Sequence, residues 1–240
     1  MKAIILAAGA GTRLRPLTDT CPKPMLPVAG RPLLVHTLGW LRKHGVAEAA
    51  LNLHYLPEVV RAGLGDGSAW GVHLRYSFEP ELLGTAGAAR AIAERFPGWL
   101  DQTFLVVYGD MPLDLDLADL AAFHRSRAAA LTIALKHTAT PQSQGMVELD
   151  EAGRVLRFVE KPPDWDRGDL ANAGVYVCEP AVLAAIPTGF ADFGHDVIPA
   201  LLAAGQPVYG RLARGYLLDI GTPEAYEQAN RDWQERTARP

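Results

Sequence analysis

The chain has 240 residues, of which 49% are hydrophobic and 21% charged, with a formal net charge of -4 and two cysteines. Such a composition excludes a disordered chain and supports one large core or two small ones, while the net acidity argues against general nucleic-acid binding, which depends on a surplus of Lys and Arg on one face. Cys21 and Cys178 alone supply neither a disulfide framework nor a paired-cysteine metal site.

The first run, "MKAIILAAGA", has the basic-then-apolar order of a signal-peptide core, but it is short and "GTRLRP" follows at once, so residues 3–8 are expected as a buried strand. No apolar run approaches the roughly 20 residues needed to span a bilayer, and a cytoplasmic location is expected. Helical patterns follow over 32–45 and 56–67, with a strand at 49–55 between them. Further on come a strand at 72–77, a helix at 86–96, a strand at 103–110 and a helix at 116–128. Apolar strands alternating with helices imply a mainly parallel sheet covered on both faces. Near residue 130 the rhythm changes. A strand at 130–136 precedes "GMVELDEAGRVLRFVEKP" (145–162), two short strands around a "DEAG" turn. The end of the chain predicts a strand at 173–179, helices near 180–186 and 195–204, a strand at 215–221, and a last helix with Thr222 as N-cap and Pro223 at its first position. The expected fold is therefore α/β, a Rossmann-like three-layer sandwich with a mixed, mainly parallel sheet and an inserted β-hairpin lobe. One domain spans residues 1–240.

The stretch "GAGTRLRPLTDTCPKPMLP" (9–27) is too rich in Gly, Pro and Thr for a helix, yet it carries Arg13, Arg15 and Lys23. Leu14 stands where the dinucleotide fingerprint G-x-G-x-x-G needs its third glycine, and the Gly-Lys-Ser/Thr of a P-loop is missing. What remains is a turn after a strand, with small residues that admit a ligand to the backbone and an Arg fork suited to phosphate. Pro16, Pro22, Pro24 and Pro27 stiffen the loop, so less entropy is lost when its cations meet an anion.

With "LGTAG" (83–87), "VYGD" (107–110), "FVEKP" (158–162), "NAGVYV" (172–177) and "DIGTPEAY" (219–226), this stretch resembles the signature of the sugar-1-phosphate nucleotidyltransferases, in the family's order and over nearly the full chain. The resemblance implies Mg²⁺-dependent transfer of a nucleotidyl group from a nucleoside triphosphate to a sugar 1-phosphate, with release of pyrophosphate. "LGTAG" is most similar to the mannose-1-phosphate guanylyltransferases, which implies GTP and mannose 1-phosphate. Heptose-1-phosphate guanylyl-, N-acetylmuramate-1-phosphate uridylyl- and glucose-1-phosphate thymidylyl- or uridylyltransferases are the alternatives, and a catalytically silent nucleotide-sugar sensor is the alternative of another class. No nucleic-acid or membrane partner is expected, and the chain is expected to act as a monomer or homodimer.

Asp110 and Asp219 follow strand patterns and so fall at the carboxyl edge of an open α/β sheet, where ligands bind, although an Asp there also serves as a cap or turn former. The resemblance assigns both to Mg²⁺, Arg13 to the β/γ-phosphates and Lys23 to the α-phosphate region, with Arg13, Lys23 and Asp110 as the catalytic set. It places Leu6, Ala7, Ala8, Gly9, Gly11, Thr12, Gly84 and Thr85 along the nucleotide, and Gly145, Glu160, Lys161 and Asn172 at the sugar phosphate under the hairpin lobe. Glu79 is the candidate acceptor for the N1-H and 2-amino group of guanine; the alternative is a solvated carboxylate. Glu160 equally suits an ion pair with Lys161, and Asn172 a turn. A phosphate monoester sheds its second proton near pH ~6, so the reaction needs no general base. In keeping with that, no Ser/His/Asp set or H-E-x-x-H spacing is present, and His54 and His124 read as ordinary surface or core residues.

Overall fold

The computed structural model describes residues 1–238. In chain order, β1 (Lys2–Leu6) leads through the Pro-rich loop to β2 (Pro27–Val28), β3 (Arg31–Pro32), α1 (Leu33–Lys43), β4 (Glu48–Leu53), α2 (Pro57–Leu64) and β5 (His73–Phe78). Then come α3 (Gly84–Arg95), β6 (Phe104–Tyr108), β7 (Leu113–Leu115), α4 (Leu117–Ser126), β8 (Leu131–His137), β9 (Gly145–Leu149), β10 (Val155–Glu160) and β11 (Leu170–Cys178). The chain closes with α5 (Ile198–Ala203), β12 (Val208–Leu212), β13 (Gly215–Leu217) and α6 (Pro223–Ala238). The architecture is α/β, a mixed sheet with flanking helices.

The sequence pattern implies one domain, and the packing resolves into two compact units: one holds residues 1–4, 82–107 and 116–214, the other 5–81, 108–115 and the chain from 215 onward. In the second unit the strands run in the order β1-β4-β5, and β4 pairs parallel with β5 from Glu48 opposite His73 to Leu53 opposite Phe78. Parallel neighbours need a crossover, which α2 supplies between β4 and β5. Pro57 opens α2 at the position where a missing N–H costs nothing. The strand expected at 215–221 is confined to Gly215–Leu217, because it pairs only with the three-residue β7 before the chain turns toward α6. Asp219 therefore sits in a loop. Thr222 caps α6, its hydroxyl accepting from the Ala225 amide at 3.2 Å. α6 closes a core of Val28, Leu33, Ile220, Ala229 and Trp233. It also takes hold of the end of the Pro-rich loop: Tyr226 donates to the Pro27 carbonyl at 2.6 Å, and the Ala29 amide donates to Asn230 at 3.0 Å.

In the first unit the order is β10-β9-β11-β6, with β8 also on β11 and β12 parallel to β8. The hairpin is joined to the sheet, since β9 pairs with β11 at Met146 opposite Ala171. Its turn is set by Asp150, whose carboxylate accepts from the amides of Ala152 and Arg154 at 2.9 and 2.8 Å. β11 pairs with β8 at residues 170–172 and again from Tyr176, with a bulge between, so the "NAGVY" segment leaves the regular ladder. Tyr176, fully buried, stacks on Phe193 with ring centroids 4.9 Å apart. Residues 193–197 form one wide π turn that runs into α5. Among the described residues, no helix is long and apolar enough to cross a membrane.

Candidate active site

In the second unit, three charged residues far apart in sequence meet. Lys23 Nζ lies 2.8 Å from Asp110 Oδ2 and 3.2 Å from Asp219 Oδ1. The lysine side chain is 7% exposed, whereas those of Asp110 and Asp219 are 39% and 41% exposed. Burial pulls the ammonium toward neutrality, but the two carboxylates outweigh it and hold the Lys23 pKa above the ordinary lysine value. The local backbone explains how the lysine reaches this point. β1 ends at Leu6, and Gly11 adopts a left-handed φ of +62°. A Cβ on Gly11 would stand 2.8 Å from Lys23 Cβ, so the absence of a side chain lets the lysine stem pass. Thr18, fully buried, donates its hydroxyl to the Gly11 carbonyl at 2.9 Å, and Tyr55 donates to the Thr18 carbonyl at 2.9 Å. The Pro-rich loop is thus closed on itself and tied to the chain after β4.

Arg13 is exposed and its guanidinium packs over Gly221, where a Cβ would come within 2.7 Å of Nη2. The same Cβ would stand 3.1 Å from Asp219 Oδ1, so the Arg13 fork, Asp219 and Gly221 share one small region. Gly109, just before Asp110, is equally constrained: its amide donates to the Leu6 carbonyl at 2.8 Å, and a Cβ would press on that carbonyl at 2.9 Å. Two carboxylates facing one cation position, with the remaining positions open to phosphate and water, fit the donor set of Mg²⁺. No cluster of three or more His, Cys, Asp or Glu able to hold a metal occurs among the described residues.

A second network underlies the expected base and backbone contacts. Ala7 is buried, its amide donating to Asn52 Oδ1 at 2.7 Å, while Asn52 Nδ2 donates to Glu79 Oε1 at 2.9 Å. Glu79 is 1% exposed and Asn52 4%. The Glu79 carbonyl also faces His54 Nδ1 at 2.8 Å, and its amide donates to the Leu53 carbonyl. Glu79 is thus no solvated carboxylate. Sequence reasoning passes over Asn52, although it is the one polar side chain between the ends of "EAALNL" in β4, where an amide is tolerated only with its hydrogen bonds made. Asn52→Ala is expected to cost roughly 1–3 kcal/mol of unfolding free energy, because it takes the partner from the buried Ala7 amide and leaves a small cavity in β4. Urea denaturation checks this, and an unchanged midpoint refutes it. Ala8, Gly9 and Thr12 lie along the loop that follows Leu6, the last residue of β1. Ala8 is buried, and Gly9 is exposed with open space where its side chain would be.

The first unit carries the other candidates. Gly84, at φ +73°, starts α3, and Thr85 follows with both its amide and its hydroxyl donating to Asp192 Oδ1 at 2.9 Å. Asp192 has no signal in the sequence, since its partner lies 107 positions away. Glu160 is mostly buried, and one of its carboxylate oxygens lies 2.6 Å from where a Cβ on Gly145 would stand and 2.5 Å from one on Gly194. Its other oxygen is 3.6 Å from Lys161 Nζ, the ion pair weighed as an alternative. Lys161 holds a left-handed φ of +47°, a conformation that non-glycine residues seldom adopt. Asn172 makes the turn contact, accepting from the Gly174 amide at 2.9 Å, and donates to the Tyr176 hydroxyl at 2.6 Å. His124 is a core residue, between the Thr132 hydroxyl at 2.9 Å and Glu179 at 3.1 Å.

A family model described as nucleotidyl transferase matches residues 2–236. The chain is 41% identical over 232 residues to a mannose-1-phosphate guanylyltransferase of Mycobacterium tuberculosis, covering 96% of this chain and 64% of that protein. It is 39% identical to a UTP–glucose-1-phosphate uridylyltransferase of Synechocystis, covering 96% of this chain and 63% of that protein. The chain thus spans less than two thirds of the length of these curated relatives. Among solved structures, HddC from Yersinia pseudotuberculosis complexed with GMP-PN superposes with a TM-score of 0.79 at 25% identity, covering 97% of this chain and 99% of that one.

Proposed function

Because this chain belongs to the nucleotidyl transferase family, we propose that it joins a nucleoside triphosphate to a sugar 1-phosphate, releasing pyrophosphate. The observation that carries the reading is the meeting of Asp110 and Asp219 on one cation position beside the Arg13 fork. Arg13 grips the β- and γ-phosphates and the departing pyrophosphate, and Lys23 takes the α-phosphate. Asp110 and Asp219 hold Mg²⁺, which when bound neutralises phosphate charge and orients the reacting groups. Two unit charges of like sign 4 Å apart repel by roughly 4 kcal/mol at an effective dielectric of 20, so a reaction between two phosphates depends on such cations. Lys161 anchors the sugar phosphate, while Glu160, Asn172 and Gly145 face the sugar. The monoester is already a dianion near neutral pH and attacks the α-phosphorus in line, with no protein base.

GTP and mannose 1-phosphate are the proposed substrates, on the 41% identity to a guanylyltransferase, with the Leu6 to Gly9 backbone alongside the nucleotide; Glu79, buried and engaged by Asn52, supports that backbone through Asn52 and the Ala7 amide instead of meeting the guanine itself. Gly11 and Thr12 continue the contact with the nucleotide. A uridylyl reading comes second, on the 39% identity to the Synechocystis enzyme. Four nucleoside triphosphates are assayed against mannose, glucose, heptose and N-acetylhexosamine 1-phosphates with Mg²⁺. Pyrophosphate should appear fastest with GTP and mannose 1-phosphate. UTP as the best donor would overturn the guanine assignment, and no pyrophosphate in any combination would overturn the reaction.

A further inference from the structure

In this structure the position between Asp110 and Asp219 belongs to the ammonium of Lys23. An ammonium at hydrogen-bond distance from both carboxylates and a divalent ion bonded to the same oxygens at ~2.0–2.1 Å exclude each other by space and by charge. We propose that Lys23 is a built-in substitute for the metal, and that nucleotide and Mg²⁺ enter together as the triphosphate draws this ammonium off the carboxylates. The inference rests on the reading of Asp110 and Asp219 as metal ligands.

Three features make the exchange specific to this side chain. Its backbone is fixed, in a short 3-10 turn at Lys23–Met25 bracketed by Pro22 and Pro24 and pressed against Gly11, so only the side-chain torsions are free to move. The carboxylates are partly open while the lysine is covered, so an incoming ion meets the carboxylates with the ammonium already on them. Finally, without metal the lysine leaves the carboxylate pair with a net charge of -1 rather than -2, which keeps the ligands together before any substrate arrives. Metal and nucleotide affinities are then coupled, and the coupling is reciprocal.

The test is Mn²⁺ binding to the free protein, followed by electron paramagnetic resonance, for the wild type and Lys23→Met. Wild type should bind Mn²⁺ weakly alone and at least tenfold more tightly with GTP. Lys23→Met should bind Mn²⁺ alone at least tenfold more tightly than wild type, and GTP should then add little. Equal or weaker Mn²⁺ binding by Lys23→Met, with circular dichroism unchanged, overturns the exchange. Should that variant not fold, wild type still decides: saturating Mg²⁺ without nucleotide should raise acylation of the Lys23 amine, measured by mass spectrometry, and unchanged labelling overturns the exchange. Pyrophosphate release by a wild type that fails these binding tests removes the exchange alone. Absence of both pyrophosphate and nucleotide-dependent Mn²⁺ binding removes the nucleotidyltransfer reading with it.

Discussion

Asp110→Asn is expected to lower the rate of pyrophosphate release by about 10³, with little change in thermal stability, because removing one preorganised electrostatic group at a phosphoryl-transfer centre costs on the order of 10²–10³ or more in kcat. The amide keeps the size of the carboxylate and still accepts from Lys23, so the fold loses one partly exposed charge and no packing. The loss should be shared by Asp219→Asn, and the double variant should be scarcely worse than either single one, since on the proposed reading the two side chains act on a single ion. Steady-state kinetics at saturating substrate, with Mg²⁺ varied, checks this. An Asp110→Asn protein with wild-type turnover would remove Asp110 from the chemistry.

Gly84→Ala is the second large effect, and it acts through the fold. A methyl at this position meets the Ala191 carbonyl oxygen at 2.4 Å and its carbon at 2.9 Å, both backbone atoms that have no torsion by which to retreat. The residue also sits at φ +73°, which an L side chain occupies at a cost of roughly 1–2 kcal/mol. Relief by moving residue 191 breaks the bonds that the amides of Ala86 and Gly87 donate to the Ala191 carbonyl at 2.9 and 3.0 Å, along with those between Thr85 and Asp192. The combined loss is expected to be about 3 kcal/mol or more, enough to move a thermal midpoint down by several degrees. Calorimetry measures it, and a shift under 1 °C would show that the segment gives way at no cost.

The secondary structure was legible because each element carries its own local instruction. Apolar "AIIL" has nowhere to go but a core, Pro57 and Pro223 stand at helix starts, and Asp150 and Gly153 turn the hairpin. Asp110 and Asp219 stood out because each follows a strand pattern and has a glycine close by, Gly109 directly before the one and Gly221 two residues after the other. Their convergence on Lys23 was beyond any local pattern, for the lysine and Asp219 are 196 positions apart and only tertiary packing decides that a buried ammonium lies between them. The division into two packing units was also out of reach, because the boundary crosses β1 between Ile4 and Ile5, within an unbroken apolar run. Asn52 and Asp192 mark the same limit from the polar side: each satisfies backbone amides that only the folded chain brings near, and neither belongs to a motif. Asn52 at least left a trace, as a lone amide inside a strand of alanine and leucine.

The loop that carries Arg13 and Lys23 is held in part from far along the chain. Tyr226 and Asn230 on α6 grip Pro27 and Ala29, and Ile220, beside Asp219, packs with Val28 under Ala229 and Trp233 of that helix. During synthesis the loop therefore leaves the ribosome 199 residues ahead of the tyrosine that grips it, and it lacks this brace until α6 has folded against Val28. A nascent chain that stops short of α6 owns the cationic residues without the frame that aims them.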